Sequence, residues 1–182
     1  MKKLSILIGL VFFGLATTTA QTFEKGDNVA NLTVGFGPGN NSGAGYTSGI
    51  AFGLSVEHCF WDDLINGDFS IGIGGYLGYS GSKYEVPGFS VKYTYFAPAG
   101  RGTFHWTAVD QLDLYAGLHL GYQIVSSEVT GNLPIFGEPV SSGSLYQAAF
   151  VGARYYFTDA FGVCAELGSG LAFLNVGATL KF

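Results

Sequence analysis

Between Leu112 and Ile124 every second residue is apolar. Leu112, Leu114, Ala116, Leu118, Leu120, Tyr122 and Ile124 alternate with Asp113, Tyr115, Gly117, His119, Gly121 and Gln123. A period of two marks a β-strand whose two faces meet different surroundings. The last ten residues repeat the rhythm: Leu174, Val176, Ala178, Leu180 and Phe182 fall on one face, Phe173, Asn175, Gly177, Thr179 and Lys181 on the other. Charged residues make up only 12% of the chain while hydrophobic ones make up 48%. That charge share is about half the usual figure, too little to clothe a water-soluble domain of this size. Beyond the first twenty residues, however, no run of 18 apolar residues exists to form a spanning helix. An apolar chain without such a helix has one other way to cross a bilayer, a closed β-barrel. Its 29 glycines, five prolines and 16% aromatics suit many strands joined by tight turns.

Residues 1–20 read as a secretory signal peptide. Lys2 and Lys3 give a positive start, Leu4 to Leu15 is an apolar run, and Thr18-Thr19-Ala20 has the small residues of a cleavage site. The run is too short and its flanks are wrong for a membrane helix. Cleavage near Ala20 leaves 21–182 as one barrel domain. No cysteine follows the site, which argues against a lipoprotein anchor. Two of the eight basic residues go with the peptide, leaving six against 13 acidic groups. Without a basic cluster, nucleic-acid binding is not expected.

Eight strands are predicted: Val29 to Gly37, Gly49 to Phe60, Phe69 to Tyr79, Lys92 to Trp106, Leu112 to Ile124, Leu145 to Phe157, Gly162 to Ser169, and Phe173 to Phe182. In the fourth, Tyr93 and Tyr95 are out of phase with Phe104 and Trp106, so a bulge near Pro98 is expected. Alternation does not itself say which face is inside, since a lipocalin-like barrel has an apolar lumen. The polar faces here are mostly Gly, Ser, Thr and Asn, with few Lys or Glu, which suits a crowded lumen better than a solvated exterior. Aromatics also gather at strand ends: Phe60, Trp61, Phe69, Phe104, Trp106, Tyr155 and Phe157 at one, Phe36, Tyr79, Tyr93 and Tyr122 at the other. Two aromatic belts around an aliphatic band match a bilayer with its two interfaces. The apolar face is therefore read as lipid-facing. Long connections (Pro38 to Ser48, Ser80 to Val91, Ser126 to Gly143) alternate with short ones (Asp62 to Gly67, Thr107 to Asp110, Thr158 to Phe161), as outer loops alternate with periplasmic turns. The last outer connection, at Ser169-Gly170, is unusually short.

Gly152-Ala153-Arg154-Tyr155-Tyr156-Phe157, the turn Thr158-Asp159-Ala160-Phe161-Gly162, Ala165-Glu166-Leu167-Gly168 and the ending at Phe182 resemble the last strands of the small eight-stranded outer-membrane barrels of the OmpX and OmpA type. Gly26-Asp27 to Gly35-Phe36-Gly37 resembles the first strand of Bacteroidota members. The resemblance covers nearly all of 21–182. It implies an all-β, single eight-stranded antiparallel transmembrane β-barrel in the bacterial outer membrane. It further implies contact with outer-membrane lipid and handling by the barrel-assembly machinery, for which Phe182 is part of the insertion signal. It says little of activity, because a fold is not a function.

The inward charges are Glu57, Arg101, Asp113, Arg154, Glu166 and Lys181, with His119. Eight strands enclose little more than their own side chains, so buried ions must pair. Arg154 and Glu166 flank a short turn and are expected to pair with each other. His58, His105 and His119 lie on different strands without metal-ligand spacing, and no cofactor is expected. Cys59 and Cys164 belong to strands that are not neighbours, so two free, lumen-facing thiols are expected. Gly72-Ile73-Gly74-Gly75 opens no helix and so lacks the terminus a phosphate cradle needs.

These readings favour a non-enzymatic barrel with a structural or surface-contact role through its outer loops, meeting an unknown partner. Leu133, Pro134, Ile135 and Phe136 form an apolar knuckle in the Ser126 to Gly143 loop and are the candidate contact. The alternatives are a small-solute channel, a lipid-modifying outer-membrane enzyme and a lipocalin-like binder. The enzyme lacks a histidine on an outer loop to activate a nucleophile, so no catalytic residues are assigned. A closed barrel resists detergent until heated. Boiled and unboiled outer-membrane fractions should therefore migrate differently on a gel, whereas a soluble periplasmic protein with no shift would invert the facing and favour the lipocalin-like binder.

Overall fold

The structure, a computed structural model, describes residues 23–37, 45–65, 67–109, 111–131 and 141–182. The expected signal peptide and the Leu133–Phe136 knuckle lie outside the described residues. Nine strands are present: β1 Asn28–Phe36, β2 Tyr46–Ser48, β3 Ala51–Leu64, β4 Phe69–Val86, β5 Phe89–Val109, β6 Leu112–Gly131, β7 Ser141–Tyr156, β8 Phe161–Gly168 and β9 Leu174–Lys181. Eight of them form a closed antiparallel ring, in the order β1, β3, β4, β5, β6, β7, β8, β9 and back to β1. The ninth, β2, pairs only with the far end of β4, through Tyr46↔Tyr84 and Ser48↔Ser82. The final residue belongs to the seam: Asn28 and Phe182 exchange two backbone hydrogen bonds of 3.0 and 2.9 Å.

The facing is as read from the sequence. Leu118, Leu120 and Leu145 point outward and are more than 60% exposed, whereas Glu57, Asp113 and Arg154 point inward and are at most 1% exposed. A polar interior within an apolar exterior is the inverse of a lipocalin-like barrel. At the turn end, Phe60, Trp61, Phe104, Trp106 and Tyr155 are exposed; at the loop end, Phe36, Tyr79 and Tyr122 are. Tyr93 departs from its expected place in the outer belt, since it shares the inward phase of Val91, Tyr95 and Ala97 and is half-buried.

The predicted bulge near Pro98 is absent. β4 and β5 pair without interruption through Leu77↔Pro98, and β5 and β6 resume after Phe96↔Ile124 at Ala99↔Gly121 in the same register. Tyr93 and Tyr95 therefore share the inward phase of Arg101 without any slip. Proline removes one ladder bond, and the strand crowds its neighbour there instead: a Cβ on Gly121 would collide with the Pro98 carbonyl. The bulges occur at the turn end, in β3 between Cys59 and Leu64 and in β5 at Thr107–Val109.

The expected long loop Ser80 to Val91 is mostly strand. β4 and β5 run on to a Pro87-Gly88 turn, with Gly88 at φ 81°, the left-handed conformation that glycine takes in such turns. β6 likewise continues to Gly131, beside β5. Above the loop-end belt, β2, β4, β5 and β6 thus form a sheet that rises past the rest of the wall. The short Ser169–Phe173 connection does the opposite. Gly170, at φ 115°, turns it inward, and Leu171 and Ala172 are buried against Ala51, Tyr95, Ala97, Tyr146 and Ala148.

Most strand glycines divide by face. A Cβ on inward Gly74 or Gly177 would strike the carbonyl of Val56 or Leu32, while one on outward Gly102 would meet nothing within 4 Å. Gly74→Ala should prevent folding. Gly102→Ala should stabilise the barrel by about 0.5–1 kcal/mol, the usual difference between alanine and glycine in a strand. Urea titrations followed by tryptophan fluorescence in lipid vesicles would separate the two.

Candidate functional site

The densest constellation of chemically active side chains is inside the ring, toward the turn end. Alternation delivers one to three of them from each of six strands: Asn31 from β1, Glu57 from β3, Arg101, Thr103 and His105 from β5, Asp113 and Tyr115 from β6, Arg154 from β7 and Glu166 from β8. All are buried.

Two guanidinium groups organise them. Arg101 donates from Nε to Glu57 Oε2 at 3.0 Å and from Nη2 to Glu166 Oε1 at 2.7 Å. Arg154 donates from Nη1 to Asp113 Oδ2 at 3.0 Å, from Nε to Asn31 Oδ1 at 3.2 Å, and from Nη2 to Glu57 Oε1. Glu57 thus bridges the two arginines. The planar guanidinium fork suits such multiple pairing. Neutral donors fill the remaining acceptor sites: Thr103 Oγ1 donates to Glu57 at 3.1 Å and Tyr115 OH to Glu166 at 2.8 Å. Nδ1 of His105 lies 2.8 Å from Asp113 Oδ1, so that nitrogen carries the proton. Aromatic rings close the faces, with Phe150 4.3 Å from the Arg101 guanidinium and Tyr115 4.4 Å from that of Arg154.

Five of the six predicted lumen charges, Glu57, Arg101, Asp113, Arg154 and Glu166, are therefore brought together. Lys181 is not; it lies at the rim, 3.5 Å from Asp27 and over the Tyr156 ring. The expected Arg154–Glu166 pair is replaced by an exchange of partners. In the β7–β8 register Arg154 faces Cys164 and Glu166 faces Gly152, so the two charges are offset by two residues along the strands. Each reaches across the lumen instead of to its neighbour. His105, Asn31 and Tyr115 belong to the network but not to the ion set expected from the sequence. Shared parity with the charges was the available signal. Cys59 and Cys164 are free, buried and unbridged.

Beyond this layer Tyr76, His119, Tyr146 and Phe150 stack, with Tyr76 and His119 ring centroids 4.1 Å apart. They line a void of about 10 Å³ together with Glu166, Leu171 and Ala172. That is room for about one water molecule. The carboxylates are committed to arginines, and among the described residues no set of His, Cys, Asp and Glu is placed to hold a metal. The arrangement can brace the wall from within, but offers neither a substrate-sized cavity nor a free nucleophile beside a base.

Compared with known proteins, the chain matches no protein-family model and no curated protein. Among solved structures it is similar to Ail, the attachment invasion locus protein of Yersinia pestis, crystallised with the heparin analogue sucrose octasulfate: 16% identity, TM-score 0.52, over 87% of this chain and 100% of that one. A second Ail crystal structure gives 14% identity and a TM-score of 0.51 over the same shares. The fold is that of a small outer-membrane β-barrel. The N-terminal β-barrel domain of Pseudomonas aeruginosa OprF also matches, at 16% identity and a TM-score of 0.48, over 87% of this chain and 98% of that domain.

The exchanged partners are testable by double-mutant cycles. Arg154→Ala should cost about 3–5 kcal/mol of stability, because it leaves buried carboxylates uncompensated. Arg101 and Glu166 should show a large coupling energy and Arg154 and Glu166 a small one. Equal couplings would restore the neighbour pairing.

Proposed function

We propose that this chain is an integral outer-membrane barrel without enzymatic activity, whose tall sheet of β2, β4, β5 and β6 is a contact surface for partners outside the cell. The observation that carries this reading is where the outward face changes character. The row Tyr79, Phe96, Ile124 is apolar; two rows further along, in register, it becomes Lys83, Lys92 and Glu128. An apolar wall meeting an interface changes in this way. What lies beyond is sheet held by backbone hydrogen bonds, a rigid platform of the kind on which recognition is usually mounted.

Outer-membrane lipid then covers the apolar wall. The barrel-assembly machinery inserts it, using the terminal strand with Phe182, after removal of residues 1–20. Ail, an attachment protein by its name, shares the fold, which supports a surface role. The sulfated ligand seen with Ail is a polyanion. This chain carries a net charge of −5, and on its outer sheet Lys83 is 2.8 Å from Glu85. A neutral or mixed-charge partner surface fits better. The channel reading loses support from a lumen filled by paired ions and side chains.

Replacing Ser82–Tyr93 by Asn-Gly would shorten the β4–β5 arm while leaving the barrel wall intact. Cells carrying that variant should keep the heat-dependent gel shift and lose attachment to host-cell or matrix surfaces, down to the level of cells lacking the protein. Undiminished attachment with a normal shift would remove the contact role and leave the structural one.

A further inference from the structure

The turn end of the lumen is closed by a segment that is not part of the ring. Phe23 precedes β1 and its side chain enters the mouth, where it is 2% exposed. Its ring centroid lies 4.4 Å from that of His105 and 5.9 Å from the Arg154 guanidinium. With Val29 and Cys59 it forms a small apolar cluster directly beneath the ion layer. A Cβ on Gly72 would strike Thr103 Oγ1 and come within 3.0 Å of the Phe23 ring, so glycine in the wall leaves room for both.

Ahead of Gly26 the segment is held to the wall by few bonds. Lys25 N–H donates to the Asp62 carboxylate at 2.9 Å, an exposed bond for which water competes. Gly26 N–H donates to the Cys59 carbonyl at 3.2 Å. Glu24 and Asp27 bond each other within the turn, and Asp27 is itself tied to the wall, its carbonyl accepting from Cys59 N–H at 2.9 Å and its carboxylate 3.5 Å from Lys181 Nζ, so the lightly held part is Phe23–Lys25. Gly26 sits at φ 100° with open space around it, a backbone position that can swivel. Lifting the segment exposes the Phe23 ring, which is unfavourable. It also lets water reach Glu57, Asp113, Arg154 and His105, which relieves part of the desolvation they carry when dry. The opposing terms make the closed state a balance.

We propose that Phe23–Lys25, pivoting at Gly26, is a releasable stopper that keeps the ion layer dry, and that its release wets the lower lumen without opening a pore. The passage stays blocked above by the Arg101–Glu57–Arg154 layer, the Tyr76–His119–Tyr146 stack and the inward-folded Leu171-Ala172.

Cys59, covered by the stopper and with its Sγ 3.8 Å from the Phe23 carbonyl, is a built-in reporter. The test uses full-length protein carrying Cys164→Ser, folded in lipid vesicles and checked by its heat-dependent gel shift, with a charged, membrane-impermeant maleimide as probe. With the stopper intact, Cys59 should label slowly. Phe23→Ala should label at least tenfold faster, Asp62→Ala severalfold faster, and Phe23→Leu close to the intact rate. None should show conductance steps in a planar bilayer. A folded Phe23→Ala variant labelled at the intact rate would overturn the proposal, as would an intact protein labelled as fast as Phe23→Ala. Should Phe23→Ala yield no folded band, Asp62→Ala decides alone, and a rate equal to the intact protein's counts against the stopper.

Discussion

Every other feature depends on the closing of the backbone hydrogen-bond ladder between β1 and β9. A sheet with an open edge inside hydrocarbon would leave a row of N–H and C=O groups unpaired, each costing several kcal/mol. The seam removes that row from Asn28–Phe182 at one end to Phe36↔Leu174 at the other. Once the ring is shut, its diameter is fixed by the strand number, and the space within is small and not negotiable. The inward glycines follow from this, since backbone and side chains of neighbouring strands occupy the places their Cβ atoms would take.

The same confinement explains the chemistry of the interior. Charges that cannot reach water must meet one another, and two arginines shared among three carboxylates, with a histidine, a threonine and a tyrosine filling gaps, is a solution in which every guanidinium nitrogen has a partner. Such a network contributes less to net stability than its short distances suggest, because desolvation offsets the attraction. Its larger effect is on register: a one-residue slip of any strand would turn these groups toward the outside. The ion layer and the ladder thus specify each other.

Much of this was legible in the sequence because the pattern is binary. Leu112 to Ile124 and Leu174 to Phe182 declare both strand and facing, and Arg101, Thr103 and His105 share a parity that places all three inside. What was not legible has physical causes. Partner choice across the lumen depends on strand stagger, so Arg154 and Glu166, adjacent in the wall, find different partners. The Ser80 to Val91 segment reads as a loop because its two faces no longer differ sharply in polarity above the belt, though the backbone ladder continues. Pro98 suggested a bulge by its residue type alone; the nearby Gly121 gives the room that makes one unnecessary. The inward fold at Gly170 leaves no periodic trace, since a four- or five-residue turn is too short to have a period.

The unequal strand lengths give the molecule a front and a back. β5 has 21 residues and β8 has eight, a difference of about 40 Å of chain at roughly 3.3 Å per residue. Strand tilt shortens that in height but does not erase it. Among the described residues the loop-end rim is therefore cut obliquely, like the nib of a quill, low beside β8 and β9 and high at β4 and β5. A body arriving from the low side slides over the rim and meets the inner face of the tall sheet, where Tyr84 and Tyr93 are; one arriving from the high side meets its charged back, with Lys83, Glu85 and Lys92. A small barrel built this way has a direction within the plane of its membrane, and neighbours of different sizes are admitted differently on its two sides.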